Sequence, residues 1–162
     1  MRIAAALVLV GLAGCGLISH NDPPPPAPAV EGARELLDEV IEAGIARDFE
    51  RLCANASGTC ESELQGNEER APNQPPEVVD VEVHQPTGGG GSWTSGGVLF
   101  VLCGIDGLGD PYESEVLVFD GGDGRLIAGA AVYWTGTGIL FAEPAQGGVT
   151  VGGEPSARPS RC

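Results

Sequence analysis

Between Val30 and Ile45 the apolar residues of this chain recur every three or four positions; past Pro76 they recur every second one. A period near 3.6 belongs to a helix with one buried stripe, and a period of 2 to a strand with one buried face. Ala33, Leu36, Leu37, Val40, Ile41, Gly44 and Ile45 form the stripe, with Arg34, Glu35, Asp38, Glu39 and Glu42 between them. Arg47-Asp48 breaks the pattern, and Phe49 to Cys53 starts a second short helical piece. "ASGTCESEL" reads as a turn that opens a further short helix, and the polar, proline-punctuated Gln65 to Pro76 as a loop.

In "EVVDVEVH" Val79, Val81 and Val83 face one way and Asp80, Glu82 and His84 the other, so the valines are expected inward and His84 in solvent. "TGGGGSWTSGG" reads as a flexible connection, and the apolar run Val98 to Ile105 as a central strand covered on both sides. "DGLGDP" turns the chain, Glu113 to Phe119 returns it, and "DGGDG" turns it again. Leu126 to Trp134 is predicted as the last long strand, with a short extension at Ile139 to Phe141. Helices followed by strands give an α+β domain: an N-terminal helix and short helices packed on a curved antiparallel sheet of about four strands.

Both faces of "LIAGAAVYW" are apolar if it is one strand. Leu126, Ala128, Ala130, Val132 and Trp134 share one, and Ile127, Gly129, Ala131 and Tyr133 the other. The helix stripe is expected on one face. The glycine-rich segment 144–162, which has no clear element of its own, is expected on the other, leaving the domain mostly monomeric.

The formal charge is −15, and all eight basic residues are arginine. That balance argues against nucleic acid, whose phosphates demand Lys and Arg, and against adhesion to anionic headgroups. Residues 3–13 form an apolar run of eleven behind Arg2, too short for the roughly 20 residues that span a bilayer. Leu12-Ala13-Gly14-Cys15 follows and resembles the lipobox of bacterial lipoprotein signal peptides. The resemblance implies that residues 1–14 are a cleaved signal, that Cys15 is acylated, and that the protein sits outside the cytoplasm on the cell membrane. Residues 15–30, with "PPPPAPA", then make an extended tether, 31–143 a single domain, and 144–162 a tail.

With Cys15 acylated, Cys53, Cys60, Cys103 and Cys162 remain, an even number that reads in an exported chain as two disulfides with three possible pairings. Cys53–Cys60 is expected because the two flank the tight "ANASGT" turn. Cys103–Cys162 then pins the tail to the central strand.

"ELLDEVIEAGIARDFERLCANASGTC", with the strands ending in "AAVYWTGTGI", resembles exported members of the nuclear-transport-factor-2-like (cystatin-like) superfamily over residues 31 to 141. The resemblance implies a cone-shaped sheet behind a helix. The short passage before the first strand and the run Gly88 to Gly91 depart from the family pattern. Enzymes of the superfamily set an acid or histidine base beside a tyrosine in the cone. The residues here that could do so are His84, Asp80, Asp120, Tyr112 and Tyr133.

Neither "GIDGLGD" nor "DGGDG" has the alternate acids and twelfth-position glutamate of an EF-hand, and both read as turns. "GGGG" opens no phosphate loop, and Ser57, Ser92 and Ser95 lack a nucleophile context. No catalytic residue, metal or cofactor is therefore expected. The expectation is a binding or accessory module for an apolar ligand or an envelope protein. A purely structural interaction domain with a filled core, or an isomerase- or hydrolase-like enzyme using the cone, are its alternatives.

Overall fold

The computed structural model describes residues 24–89, 92–136 and 161–162. Cys15, the signal, the strand extension expected at Ile139 to Phe141 and most of the tail lie outside the described residues. Helix α1 (Val30–Ala46) is followed by α2 (Phe49–Ala54), α3 (Cys60–Leu64) and a 3₁₀ turn at Glu68–Arg70. The strands are β1 (Glu77–His84), β2 (Thr87–Gly89), β3 (Ser92–Thr94), β4 (Gly97–Ile105), β5 (Pro111–Asp120) and β6 (Leu126–Ala128). A 3₁₀ turn at Tyr133–Thr135 follows them. The main sheet is antiparallel in the order β1-β4-β5-β6, which makes the domain α+β as its two hydrophobic periods require.

The stripe of α1 is the buried one: Ala33, Leu37, Val40, Ile41 and Gly44 are buried, and Leu36 and Ile45 pack against the core from its rim. Arg47 ends the helix in the left-handed region, at φ 56°. Its backbone N–H donates to the Gly44 carbonyl at 3.2 Å and that of Asp48 to Ala43 at 2.9 Å, the two bonds of a Schellman end. A side chain in that region costs about 1–2 kcal/mol. Arg47 offsets it by donating to the carbonyls of Glu68 (2.8 Å) and Ala71 (3.3 Å), which ties the loop before the sheet to the helix end. Asp48 accepts from the Arg51 N–H at 3.2 Å and so caps α2.

Three expectations change. The glycine-rich connection is a small antiparallel pair, with Thr87 opposite Thr94, where a flexible loop was expected. The last strand stops at Ala128. Ala130 to Trp134 are buried one after another rather than alternately, because the chain folds inward and ends in the 3₁₀ turn.

The third change concerns β1. Val81 stands opposite Phe100 and Val83 opposite Val98, on the helix-facing side of the sheet. Yet α1 packs over β5 and β6, at the other side of the sheet from β1. The valines are therefore the exposed residues, at 37 % for Val79, 41 % for Val81 and 50 % for Val83. Asp80, Glu82 and His84, expected in solvent, are the half-buried side. An irregularity in pairing between Val78 and Asp80, a β-bulge, separates the upper and lower halves of the strand.

The core lies between α1 and the sheet. Trp134, Tyr133, Phe100, Leu37 and Leu52 are its largest fully buried side chains. Gly44 makes the packing possible: a Cβ there would come within 3.0 Å of both the Trp134 ring and the Tyr133 hydroxyl. Both disulfides form as expected, Cys53 with Cys60 and Cys103 with Cys162, at Cα separations of 5.4 and 5.7 Å.

Candidate functional site

Alternation along the paired strands sends Asp80, Glu82 and His84 of β1, Leu99, Val101 and Cys103 of β4, and Glu113, Glu115 and Leu117 of β5 to the face opposite α1. Its middle is apolar and buried, with Leu99 at 2 %, Val101 at 0 % and Leu117 at 8 % exposure. Its margin is acidic. Into that margin goes the guanidinium of Arg161, held in place by the bond from Cys162 to Cys103.

Arg161 Nη1 lies 3.3 Å from both Asp80 and Glu82, Nε lies 3.6 Å from Glu113, and Nη2 is bonded to Glu115. Its backbone N–H also donates to Glu113 at 3.0 Å. Burial alone would loosen the proton on Arg161, but the carboxylates, Glu115 foremost, more than reverse that and raise its pKa. One cation thus faces four anions drawn from two strands that flank β4. His84 Nε2 sits 3.3 Å from Glu82 at the same margin. Nothing in the local sequence announces this cluster, because Arg161 is some 80 positions from Asp80.

The tyrosines are elsewhere. Tyr112 is opposite Gly104 and joins the helix-side core cluster, as does Tyr133. Their rings are 6.1 Å apart, and the Tyr133 hydroxyl lies 3.4 Å from the Ile41 carbonyl, to which it donates. The Tyr112 hydroxyl is buried with no hydrogen-bond partner among the described residues. Burial pushes both phenols well above the ordinary tyrosine range, with the Asp106 charge adding to Tyr112 and Tyr112 adding to Tyr133. The sheet therefore separates the tyrosines from Asp80 and His84, and these groups do not form one acid–base constellation.

The acids of the glycine-rich stretches are spent on turns. Asp120 accepts from the N–H groups of Gly122 (2.7 Å) and Gly124 (3.0 Å), and Asp123 from that of Arg125 (3.0 Å). Asp106, its side chain 1 % exposed, accepts from Leu108 and Asp110 at 2.9 Å each and lies 2.6 Å from Arg70. Burial would raise its pKa, but the backbone donors and the Arg70 charge overcome that and hold the carboxyl below its usual range. A carboxyl depressed in the folded state stabilises the fold above the unfolded pKa of about 3.9, and that contribution is lost as pH falls below it. Asp106→Asn is therefore expected to cost about 2–3 kcal/mol at neutral pH. In denaturant titrations the gap between the two proteins should narrow as the pH falls below about 3.9 and through the depressed folded-state pKa; a gap independent of pH would contradict the assignment.

A groove of about 470 Å³ opens beside the Cys103 disulfide, lined in part by Asn73, Pro75, Glu77, Ile105 and Asp106. A second, of about 500 Å³, lies between α2 and α3, where Phe49, Cys53, Ala54 and Leu64 are flanked by Glu50 and Glu61. Among the described residues no group of three or more His, Cys, Asp or Glu is arranged to hold a metal ion. Comparison with protein-family models, with curated proteins and with solved structures finds no match for this chain.

Proposed function

We propose that this is a membrane-anchored extracytoplasmic lipoprotein whose folded domain is an accessory module that docks another envelope protein. Its kinship is with the nuclear-transport-factor-2-like superfamily. The anchor rests on the lipobox at Leu12–Cys15, and the two disulfides support an oxidising compartment. Two or three acyl chains on Cys15 would hold firmly, since each buried methylene contributes about 0.8 kcal/mol. The proline-rich segment would carry the domain away from the headgroups.

One observation favours docking over carriage of an apolar ligand. The space between helix and sheet, where a cone would hold its ligand, is occupied by Tyr133 and Trp134 pressed against Gly44. The domain acts as a monomer, and catalysis by the cone is the lesser alternative, because its tyrosines and acids stand on opposite faces of the sheet.

Two measurements test the reading. Cys15→Ala should move the protein from the membrane to the soluble fraction, and mass spectrometry of the native N-terminal peptide should find acylated Cys15. A native protein that is unmodified and soluble refutes the anchor. The purified domain should leave an environment-sensitive apolar dye in water; saturable one-to-one dye binding would restore the ligand carrier and remove the filled-core argument.

A further inference from the structure

We propose that the outer edge of β1 takes an extended segment of the partner protein as a further strand, and that this segment alternates apolar with basic residues. The inference rests on the docking reading above and names the chemistry of the partner. Strand β1 ends the main sheet, so one side of its backbone has no strand beside it among the described residues. The direction of the ladder shows which groups are left over. The Leu117 carbonyl accepts from the Gly129 N–H at 2.8 Å, on the β6 side. A residue of an antiparallel sheet turns its N–H and its carbonyl the same way, so Leu117 and Leu99, which stand opposite each other, do not bond to one another. Leu99 bonds instead to its other partner, Glu82, and Val81 and Val83 turn their backbone groups outward. The Val81 N–H agrees with this: it donates at 2.9 Å to the carboxylate of its own neighbour, Asp80.

Edge strands are usually blunted by shortness, proline, bulges or charge. On β1 that protection is uneven. The bulge between Val78 and Asp80 distorts the lower half. The upper half, Asp80 to His84, contains no proline and exposes Val81 and Val83 on one face. On the other face Asp80 and Glu82 are half-buried and share Nη1 of Arg161, at 3.3 Å from each, while Nη2 is bonded to Glu115. These three carboxylates outnumber Arg161 even with His84, beside Glu82, protonated, so the edge stays negative.

That charge chooses the occupant. An antiparallel second copy that satisfied Val81 and Val83 would set Glu82 directly opposite its own mate, and like charges so placed destabilise the pair. A strand of another protein meets no such obstacle if its residues alternate. Apolar side chains opposite Val81 and Val83 cover the valine face, and an Arg or Lys opposite Asp80 or Glu82 falls on the acidic one. Asp80 then gives up the Val81 N–H to an incoming carbonyl and gains an incoming cation. Backbone bonds supply the affinity, and the two unlike faces supply the selection.

The test uses the full chain, both disulfides intact, and the labelled peptide TRVRVRT, capped at both ends and followed by fluorescence anisotropy at low salt. Paired antiparallel, its valines meet Val81 and Val83 and its arginines lie on the acidic face. Peptides of identical charge separate strand addition from general attraction, without any variant of the protein. N-methylation of both valines, whose amides point to β1, should weaken binding at least about tenfold. N-methylation of the middle arginine, whose amide points away, should change it by less than about twofold. The reordered TRRVVRT should bind as poorly as the blocked peptide. Val83→Lys should weaken TRVRVRT about tenfold or more, with circular dichroism showing the fold retained, since that side chain is exposed. Absence of saturable binding, equal binding of the N-methylated or reordered peptides, or indifference to Val83→Lys overturns the added strand; the anchor and dye measurements decide their own reading separately. An acidic TEVEVET that binds as well as TRVRVRT overturns the basic partner. Sedimentation should find the peptide-free chain monomeric, and a dimer that Val83→Lys dissolves would give the edge to a second copy and overturn the proposal.

Discussion

Trp134→Ala is expected to destabilise the domain by about 3–5 kcal/mol, the range for deleting a large aromatic side chain from a packed core. Trp134 is 1 % exposed, meets Tyr133 edge-on at 5.1 Å and Phe49 at 6.4 Å, and fills the space that Gly44 leaves open. Its indole N–H donates to the Asn67 carbonyl at 2.9 Å, so the truncation also removes that bond and leaves the carbonyl with the Arg70 N–H, at 3.1 Å, alone. Trp134→Phe keeps most of the ring and loses the donor, and should cost about 1–2 kcal/mol. Denaturant unfolding followed by far-ultraviolet circular dichroism measures both. A loss below about 1 kcal/mol for Trp134→Ala would mean that the ring is not part of the core.

Removing the long-range disulfide should cost about as much by a different route. Cys103 and Cys162 are 59 positions apart, and closing a loop of that size restricts the unfolded chain by about 4 kcal/mol. Cys53 and Cys60, 7 apart, should contribute about 2–3 kcal/mol. The double variant Cys103→Ser/Cys162→Ser is therefore expected to melt well below Cys53→Ser/Cys60→Ser. It should also lose the Arg161 contacts, since nothing covalent then holds that residue near Asp80 and Glu115. If the long-range variant were as stable as the parent, the 161–162 segment would not be docked on the sheet.

These two effects sit on elements that were unequally legible. The stripe of α1 could be read because a 3.6-residue period survives every surface substitution between its members. The central strand β4 could be read because nine residues, six of them fully buried, leave no room for a polar alternation. The pattern in β1 was equally clear, yet the valine face, expected to be buried, is the more exposed one. Periodicity says that two faces differ; it does not say how far along a face a helix reaches, and α1 covers the β5–β6 end of the sheet, leaving the valines of β1 on the same face uncovered. Trp134 and Tyr133 were recognisable as apolar but were read as the end of a strand, where the structure has a 3₁₀ turn. The backbone leaves the sheet after Ala128, and a run of small residues permits either course. The Arg161 cluster carried no local signal at all: its members come from two strands and from a residue tied to a third. Cysteine spacing was the one clue, since Cys53–Cys60 is so short that it leaves Cys103 and Cys162 for each other.

That spacing also bears on how the protein matures. The four disulfide-bonded cysteines admit three connectivities, and the one present joins Cys53 to Cys60 and Cys103 to Cys162. If the chain is exported as proposed, its amino end crosses the membrane first and these cysteines emerge in that order. Cys53 and Cys60 emerge within seven residues of each other and can be sealed before Cys103 appears. With Cys15 acylated, as proposed, Cys103 then meets no earlier thiol and waits for Cys162. On that route an oxidase that joins cysteines as they arrive would reach the native connectivity directly, with no need of a disulfide isomerase.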